Sequence, residues 1–339
     1  MNEPNKTKWP MFCPDATRGV IRGLDGDDLR SVGVRGLVVN AWHLLTEPGI
    51  SVIKQAGGIK QFMNWGGLVI SDSGGFQLLS LIYRDKSLAK ISDRGIVFNK
   101  KVGKKLKKYE FTPEKSIQVQ FDLGSDVMVC LDDCPREGAS LAEVELSVKR
   151  TIDWAGRCRQ EFDRQLEVRK VRQRPMLVGV IQGGDFVEQR QRCARELVVM
   201  DFDGYGFGGW PMKNGKFDYD MLKIVADLMP DDKVKYAMGV GKPKEMRDCV
   251  EMGYQLFDCV LPTRDGRHGR VYLSDDSELD LRKEKFVRDY YPIETGCECE
   301  VCQNYSRSYI HHLFMIGDSL AGRLASLHNL YVFNNCFYR

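Results

Sequence analysis

Short apolar, β-branched runs, charged stretches of helical periodicity between them, and a polar residue closing nearly every run predict an α/β chain wound as a closed (β/α)8 TIM barrel. The runs are GLVVNA ending at Ala41, GLVISD at Asp72, VMVCLD at Asp132, MLVGVIQGG at Gly184, GYGFGG at Gly209, YAMGVG at Gly241 and FDCVLP at Pro262. Uninterrupted apolar runs suit strands buried on both faces. The segments between them, such as AEVELSVKRTIDWAGRCRQEF, carry charge at helical spacing. An open doubly wound sheet would gather its polar residues at one switch point. Here they are spread over many strand ends, which sets Asn40, Asp72, Asp132, Gln182, Gly209, Met238 and Asp258 around one barrel mouth.

Two segments interrupt the rhythm. Residues 93–112 contain NKKVGKKLKKYEF and read as a basic hairpin; residues 264–309 hold an Arg-rich stretch and a cysteine cluster and read as an insertion in the last barrel unit. No repeat or linker divides the chain, so residues 1–339 form one unit.

The composition suits a large core, with 43% hydrophobic residues in 339. Fifty Lys and Arg against 47 Asp and Glu leave a net charge of +3, so a nucleic-acid surface has to be a local patch. The start, MNEPNKTKWPMF, has no apolar signal region, and no apolar stretch is long enough to span a membrane. Most of the eleven cysteines are scattered, as in a reduced, cytoplasmic protein.

Cys297, Cys299 and Cys302 are the exception. Their C-x-C-x-x-C spacing, with an imidazole downstream, suits a tetrahedral Cys3His zinc site. Four protein ligands leave no open position for water, which makes the expected Zn2+ structural. On spacing alone His328, His311 and His312 compete for the fourth place.

Two carboxylates stand out at strand ends. Ser71-Asp72-Ser73-Gly74-Gly75-Phe76-Gln77 joins an acid to a glycine pair and an aromatic; a helix N-cap by Asp72 or Ser73 would account for one residue of that set. Asp258 sits in an otherwise apolar strand, where an unpaired charge is costly unless it faces the mouth. The loop after it, Pro262 to Arg270, supplies three arginines suited to phosphates. Asp132, Gln182 and the Gly208-Gly209 amides offer donors and acceptors able to read a purine edge.

The segments GGIKQFMNWGGLVISDSGGFQLLSL, FTPEKSIQVQFDLGSDVMVCLDDC, GVIQGG, YAMGVG, FDCVLPTRDGR and CECEVCQNYSRSYIHHL, in this order, closely resemble the tRNA-guanine transglycosylases. The resemblance runs from about Gly23 to Tyr331 and implies a (β/α)8 barrel with a zinc-binding insertion. It implies a pentosyltransferase that replaces guanine in tRNA, at the anticodon wobble position, by a 7-deazaguanine. By the same resemblance Asp258 is the nucleophile and Asp72 the general acid and base. Ser73, Phe76, Asp132, Gln182, Gly209 and Met238 bind the base, with Phe76 and Met238 on its two faces. Arg264 and Arg267 hold the nucleic acid, and Cys297, Cys299, Cys302 and His328 hold the zinc. A homodimer is also implied.

This chain departs from the family pattern in places. Where bacterial members read Gly-Gly-Leu-Ala-Val-Gly-Glu, it reads Gly208-Gly209-Trp210-Pro211-Met212-Lys213-Asn214, without the glutamate associated with an aminomethyl substituent. Six lysines lie between Lys100 and Lys108. These features admit DNA as an alternative polymer, and a non-catalytic tRNA-binding subunit is the alternative from another class.

Overall fold

The computed structural model describes residues 8–75, 89–102, 105–171, 173–213 and 215–338. Eight parallel strands build one sheet: β1 (Met11–Pro14), β2 (Gly36–Asn40), β3 (Leu68–Asp72), β4 (Val127–Val129), β5 (Met176–Ile181), β6 (Gly204–Phe207), β7 (Val234–Ala237) and β8 (Leu256–Cys259). Each strand bonds its sequence neighbour from β2 through β8, and β8 bonds β1. The Asp15↔Val38 bridge joins β1 back to β2, with the Ala16 amide donating to the Val38 carbonyl at 2.7 Å. The result is the (β/α)8 barrel that the alternation predicts. The strand that no pattern announces is β1: four residues ending in proline, preceded by the polar KTKWP, carry no readable period.

The outer helices start where the sequence supplies caps. Thr112 accepts from the Lys115 amide before Pro113–Leu123. Ser140 and Glu143 form a capping box before Leu141–Arg169, and Asp318 caps Ser319–Asn335. Each such cap satisfies an amide the helix cannot, at about 1 kcal/mol. Ser319–Asn335 also seals the barrel, packing Phe333 against Phe12 of β1 with tilted rings 5.3 Å apart.

Two core layers follow from the period of two. Met11, Cys13, Val38, Ile70, Val127, Val129, Val178, Val180, Tyr236 and Leu256 fill the barrel interior. Their alternating neighbours, such as Phe12, Leu37, Val69, Leu177 and Phe257, pack outward against the helices.

After β3, the strands Ala89–Ser92, Gly95–Val102 and Lys105–Phe111 form a separate antiparallel sheet. The lysine-rich run lies on its last two strands, with Lys100 opposite Lys107. The sheet is tied to the barrel by Trp154, whose indole donates to the Asp93 carbonyl at 2.8 Å. After β8 come the hairpin Arg270–Tyr272 with Glu278–Asp280, and the helices Glu300–Asn304 and Arg307–Met315. Among the described residues, no helix is long and apolar enough to cross a membrane.

Candidate functional site

Stepping two residues beyond each interior apolar side chain leads to the mouth. Val38 leads to Asn40, Ile70 to Asp72, Val180 to Gln182, Tyr236 to Met238 and Leu256 to Asp258. Alternation along parallel strands therefore aims these side chains into one chamber.

Asp258 is half-buried. Its Oδ1 accepts the Tyr236 hydroxyl at 2.8 Å and the Gly239 amide at 3.0 Å, while Oδ2 takes no hydrogen bond among the described residues. Burial pushes its pKa up to about 7, against the pull of those two donors, and the carboxylates of Asp15 and Asp72 add to the rise. Asp72, on β3, accepts the Asn40 amide at 2.9 Å through Oδ2. Asn40 is oriented in turn by its Oδ1, which caps the His43 amide at 3.1 Å.

A second group of residues forms a slot. Gln182 donates through Nε2 to Asp132 Oδ2 at 2.6 Å, and its buried Oε1 has no partner among the described residues. Burial, reinforced by Asp133, moves the Asp132 pKa up to about 6 despite the Gln182 bond. Two glycines make the slot possible. A Cβ on Gly208 would lie 2.4 Å from Gln182 Nε2, and one on Gly75 would lie 2.7 Å from the Asp132 carbonyl oxygen. An acceptor with no partner among the described residues, beside a carboxylate, suits a ligand carrying N–H donors.

Other predicted residues fall in different surroundings. Ser73 is fully buried and its hydroxyl accepts the Gly75 amide at 3.3 Å, fixing the turn. Met238 is half-buried beside the chamber, and Gly209 has φ +98. Phe76 lies outside the described residues. Asp133 turns away from the mouth to Arg150, at 3.0 Å. Arg264 and Arg267 share the helix Leu261–Arg267. Arg264 borders a cleft of about 470 Å³ with Lys242, His268, Arg270 and Arg282, a basic wall relieved by Asp265.

Sequence reasoning missed two positioning side chains. Tyr236 reads as one more strand aromatic, yet it orients Asp258. Arg190 is fully buried and donates to the carbonyls of Ile181 (2.6 Å), Gly208 (2.7 Å) and Gly184 (3.1 Å), clamping the loops that carry Gln182 and Gly209. Its sequence context, QRQRCAREL, hides it among other arginines.

Cys297, Cys299, Cys302 and His328 form a separate buried cluster whose ligand atoms lie within 4.8 Å of one another. His328 Nδ1 is 4.0, 3.5 and 3.3 Å from the three sulfurs in that order. The other ring nitrogen, Nε2, meets the Tyr272 carbonyl at 2.9 Å. That bond assigns the proton to Nε2 and turns the Nδ1 lone pair toward the thiols, as in a metal ligand. The Cys302 amide donates to Cys299 Sγ at 3.3 Å. The donor set thus fits a metal ion. The rival imidazoles stand elsewhere: His311 bonds the Leu281 carbonyl at 2.8 Å, and His312 is exposed.

Comparison with known proteins gives one consistent result. The family model described as queuine tRNA-ribosyltransferase matches residues 1–339. The queuine tRNA-ribosyltransferase of Thermoanaerobacter pseudethanolicus is 38% identical over 323 residues, covering 95% of this chain and 82% of the relative. That of Staphylococcus haemolyticus is 38% identical over 324 residues, with the same coverage. That of Symbiobacterium thermophilum is 38% identical over 322 residues, covering 95% and 77%.

Proposed function

Since the chain belongs to the queuine tRNA-ribosyltransferase family of tRNA-guanine transglycosylases, which are pentosyltransferases, we propose that it replaces a guanine of tRNA by a 7-deazaguanine through a covalent glycosyl-Asp258 intermediate. The observation that carries this reading is the pair of strand-end carboxylates, Asp258 and Asp72, at the same mouth as the Asp132–Gln182 pair, whose Gln182 Oε1 takes no hydrogen bond among the described residues. Asp258 Oδ2 bonds to the anomeric carbon as the bond from that carbon to guanine N9 breaks, and Asp72 protonates the departing base. In the return step N9 of the incoming base attacks the same carbon, its proton goes to Asp72, and the Asp258 carboxylate leaves. Two displacements retain configuration, as in retaining glycosidases.

The base lies in the slot with its ring N–H and amino group toward Asp132 and Gln182 Oε1. Met238 and Phe76 cover its faces, and the Gly209 backbone and Ser73 turn bound its edge. Arg264 and Arg267 hold flanking phosphates. Zinc suits the Cys3His donor set, and its closed coordination gives it the structural task of tying the insertion to the barrel. Two copies pair through the insertion and the helix after it, where Tyr290, Tyr291, Met315 and Ile316 are exposed apolar groups; sedimentation as a dimer is expected.

Incorporation of labelled guanine into bulk tRNA and into DNA tests the reaction and its polymer together. The expected result is label in tRNA alone. Label in DNA would move the target, and label in neither, with tRNA still bound, would favour the binding-subunit reading.

Attack requires the Asp258 carboxylate, so kcat/KM rises with pH through about 7 on the acid side. The sign for stability is opposite. A folded-state pKa above the unfolded one means that the native protein holds the proton more tightly. Stability contributed by this group is therefore present at low pH and lost as pH rises toward 7. Asp258→Asn removes that cost, so its melting temperature exceeds wild type at pH 8 by more than at pH 5. An equal difference at both pH values would contradict the raised pKa.

A further inference from the structure

Strand β1 brings a third carboxylate to the mouth. Met11 and Cys13 face the barrel interior, and the same alternation turns Asp15 into the chamber. Cys13 stands opposite Asp258 in the register of β1 with β8. Asp15 is two residues further along, one layer above the nucleophile on the adjacent strand. It is held rigidly: Oδ1 accepts the Thr17 amide at 2.7 Å and the Thr17 hydroxyl at 2.6 Å. Oδ2 takes neither a hydrogen bond nor an ion pair among the described residues.

The turn with Thr17 needs only Oδ1, which asparagine would supply as well. It leaves the second oxygen unused, and the charge, opposed by burial, is offset only in part by the Thr17 bonds and the Arg267 guanidinium. The charge is unfavourable in the unliganded protein, because Asp15 is half-buried and opposes ionisation of Asp258. A substrate group that uses it would account for its presence.

Sugar stereochemistry supplies that group. The base of a β-nucleoside leaves from one face of the ring, so the nucleophile approaches from the other. That opposite face also carries the 2′-hydroxyl, on the carbon next to the one attacked. A carboxylate one layer from the nucleophile, on the neighbouring strand, is placed for this hydroxyl, and an ionised acceptor makes the stronger bond.

We propose that Asp15 is a specificity residue: it accepts a hydrogen bond from the 2′-hydroxyl of the target nucleotide and selects a ribonucleotide over a deoxyribonucleotide. The proposal rests on the reading of Asp258 as the nucleophile.

The test compares two stem-loop RNAs that present the target guanosine, identical except that one carries a single 2′-deoxyguanosine at the target position. For each, kcat/KM for labelled-guanine exchange is measured with wild type, Asp15→Asn and Asp15→Val. Wild type is expected to favour the ribo substrate by roughly ten- to a hundredfold, the range for a hydrogen bond to a charged group. Asp15→Asn, which keeps the turn acceptor, should cut the preference to a few-fold, and Asp15→Val should bring it near one. A merely structural Asp15 would change rates without changing the ratio. Equal use of the two RNAs by wild type, or the full preference in both variants, would overturn the proposal alone. Absence of exchange by wild type on every RNA would overturn the functional reading beneath it.

Discussion

Asp258→Asn is expected to lower base exchange by on the order of 10⁴-fold or more, the scale on which enzymes lose rate when a covalent nucleophile is removed. The substitution is nearly isosteric and keeps an oxygen for Tyr236 and Gly239, whose bonds to Oδ1 are 2.8 and 3.0 Å, so the chamber should retain its shape. What disappears is the anionic oxygen that would bond to the sugar. Asp72→Asn should fall less, by about 10² to 10⁴, the usual worth of a positioned general acid and base. Steady-state exchange with circular-dichroism and tRNA-binding controls checks both. The order of the two losses matters: a smaller loss for Asp258→Asn than for Asp72→Asn would point to direct displacement without the aspartyl intermediate.

Loss of the metal is the second large effect. The four donors join the insertion to the helix that follows it, since Cys297, Cys299 and Cys302 surround the start of the Glu300–Asn304 helix, while His328 belongs to Ser319–Asn335. The latter helix also carries Phe333 onto Phe12 of β1 and donates from the Asn329 amide to the Pro262 and Arg270 carbonyls at 2.9 and 3.0 Å. Removing the ion would leave three crowded thiols with no common partner and loosen the element that seals the barrel. Cys302→Ser, or a strong chelator, should cost about 5 kcal/mol or more and lower the melting temperature by on the order of 10 °C. Thermal unfolding with elemental analysis checks this. One zinc per chain and a large shift are expected, whereas metal-free protein melting with wild type would remove the structural role.

The sequence made the acids visible because they interrupt apolar runs. Asp72 closes GLVISD, and Asp258 stands within FDCVLP. Once the alternation of each strand is known, the same runs also tell which face reaches the mouth. The cysteine spacing suggested a metal site, yet spacing could not choose among three histidines. The family resemblance named His328, and the fold brings it to the three cysteines with its Nε2 on the Tyr272 carbonyl, 56 residues away in the chain.

What stayed hidden has specific causes. Four-residue β1 carries too little pattern to be recognised, and Asp15 was lost with it. Arg190 acts through carbonyl oxygens of two loops, a partnership without any sequence signature. Tyr236 differs from the other strand aromatics only in facing Asp258 across a strand boundary.

The proposed reaction turns on the covalent intermediate, and trapping it is the most direct measurement. Wild-type protein mixed with a target tRNA, without free base to complete the exchange, is quenched in denaturant and analysed by mass. An RNA–protein adduct is expected that maps to Asp258, is absent from Asp258→Asn, and disappears when free guanine is added before quenching. Multiple-turnover exchange by wild type with no adduct, or an adduct that survives in Asp258→Asn, would contradict the proposed reaction.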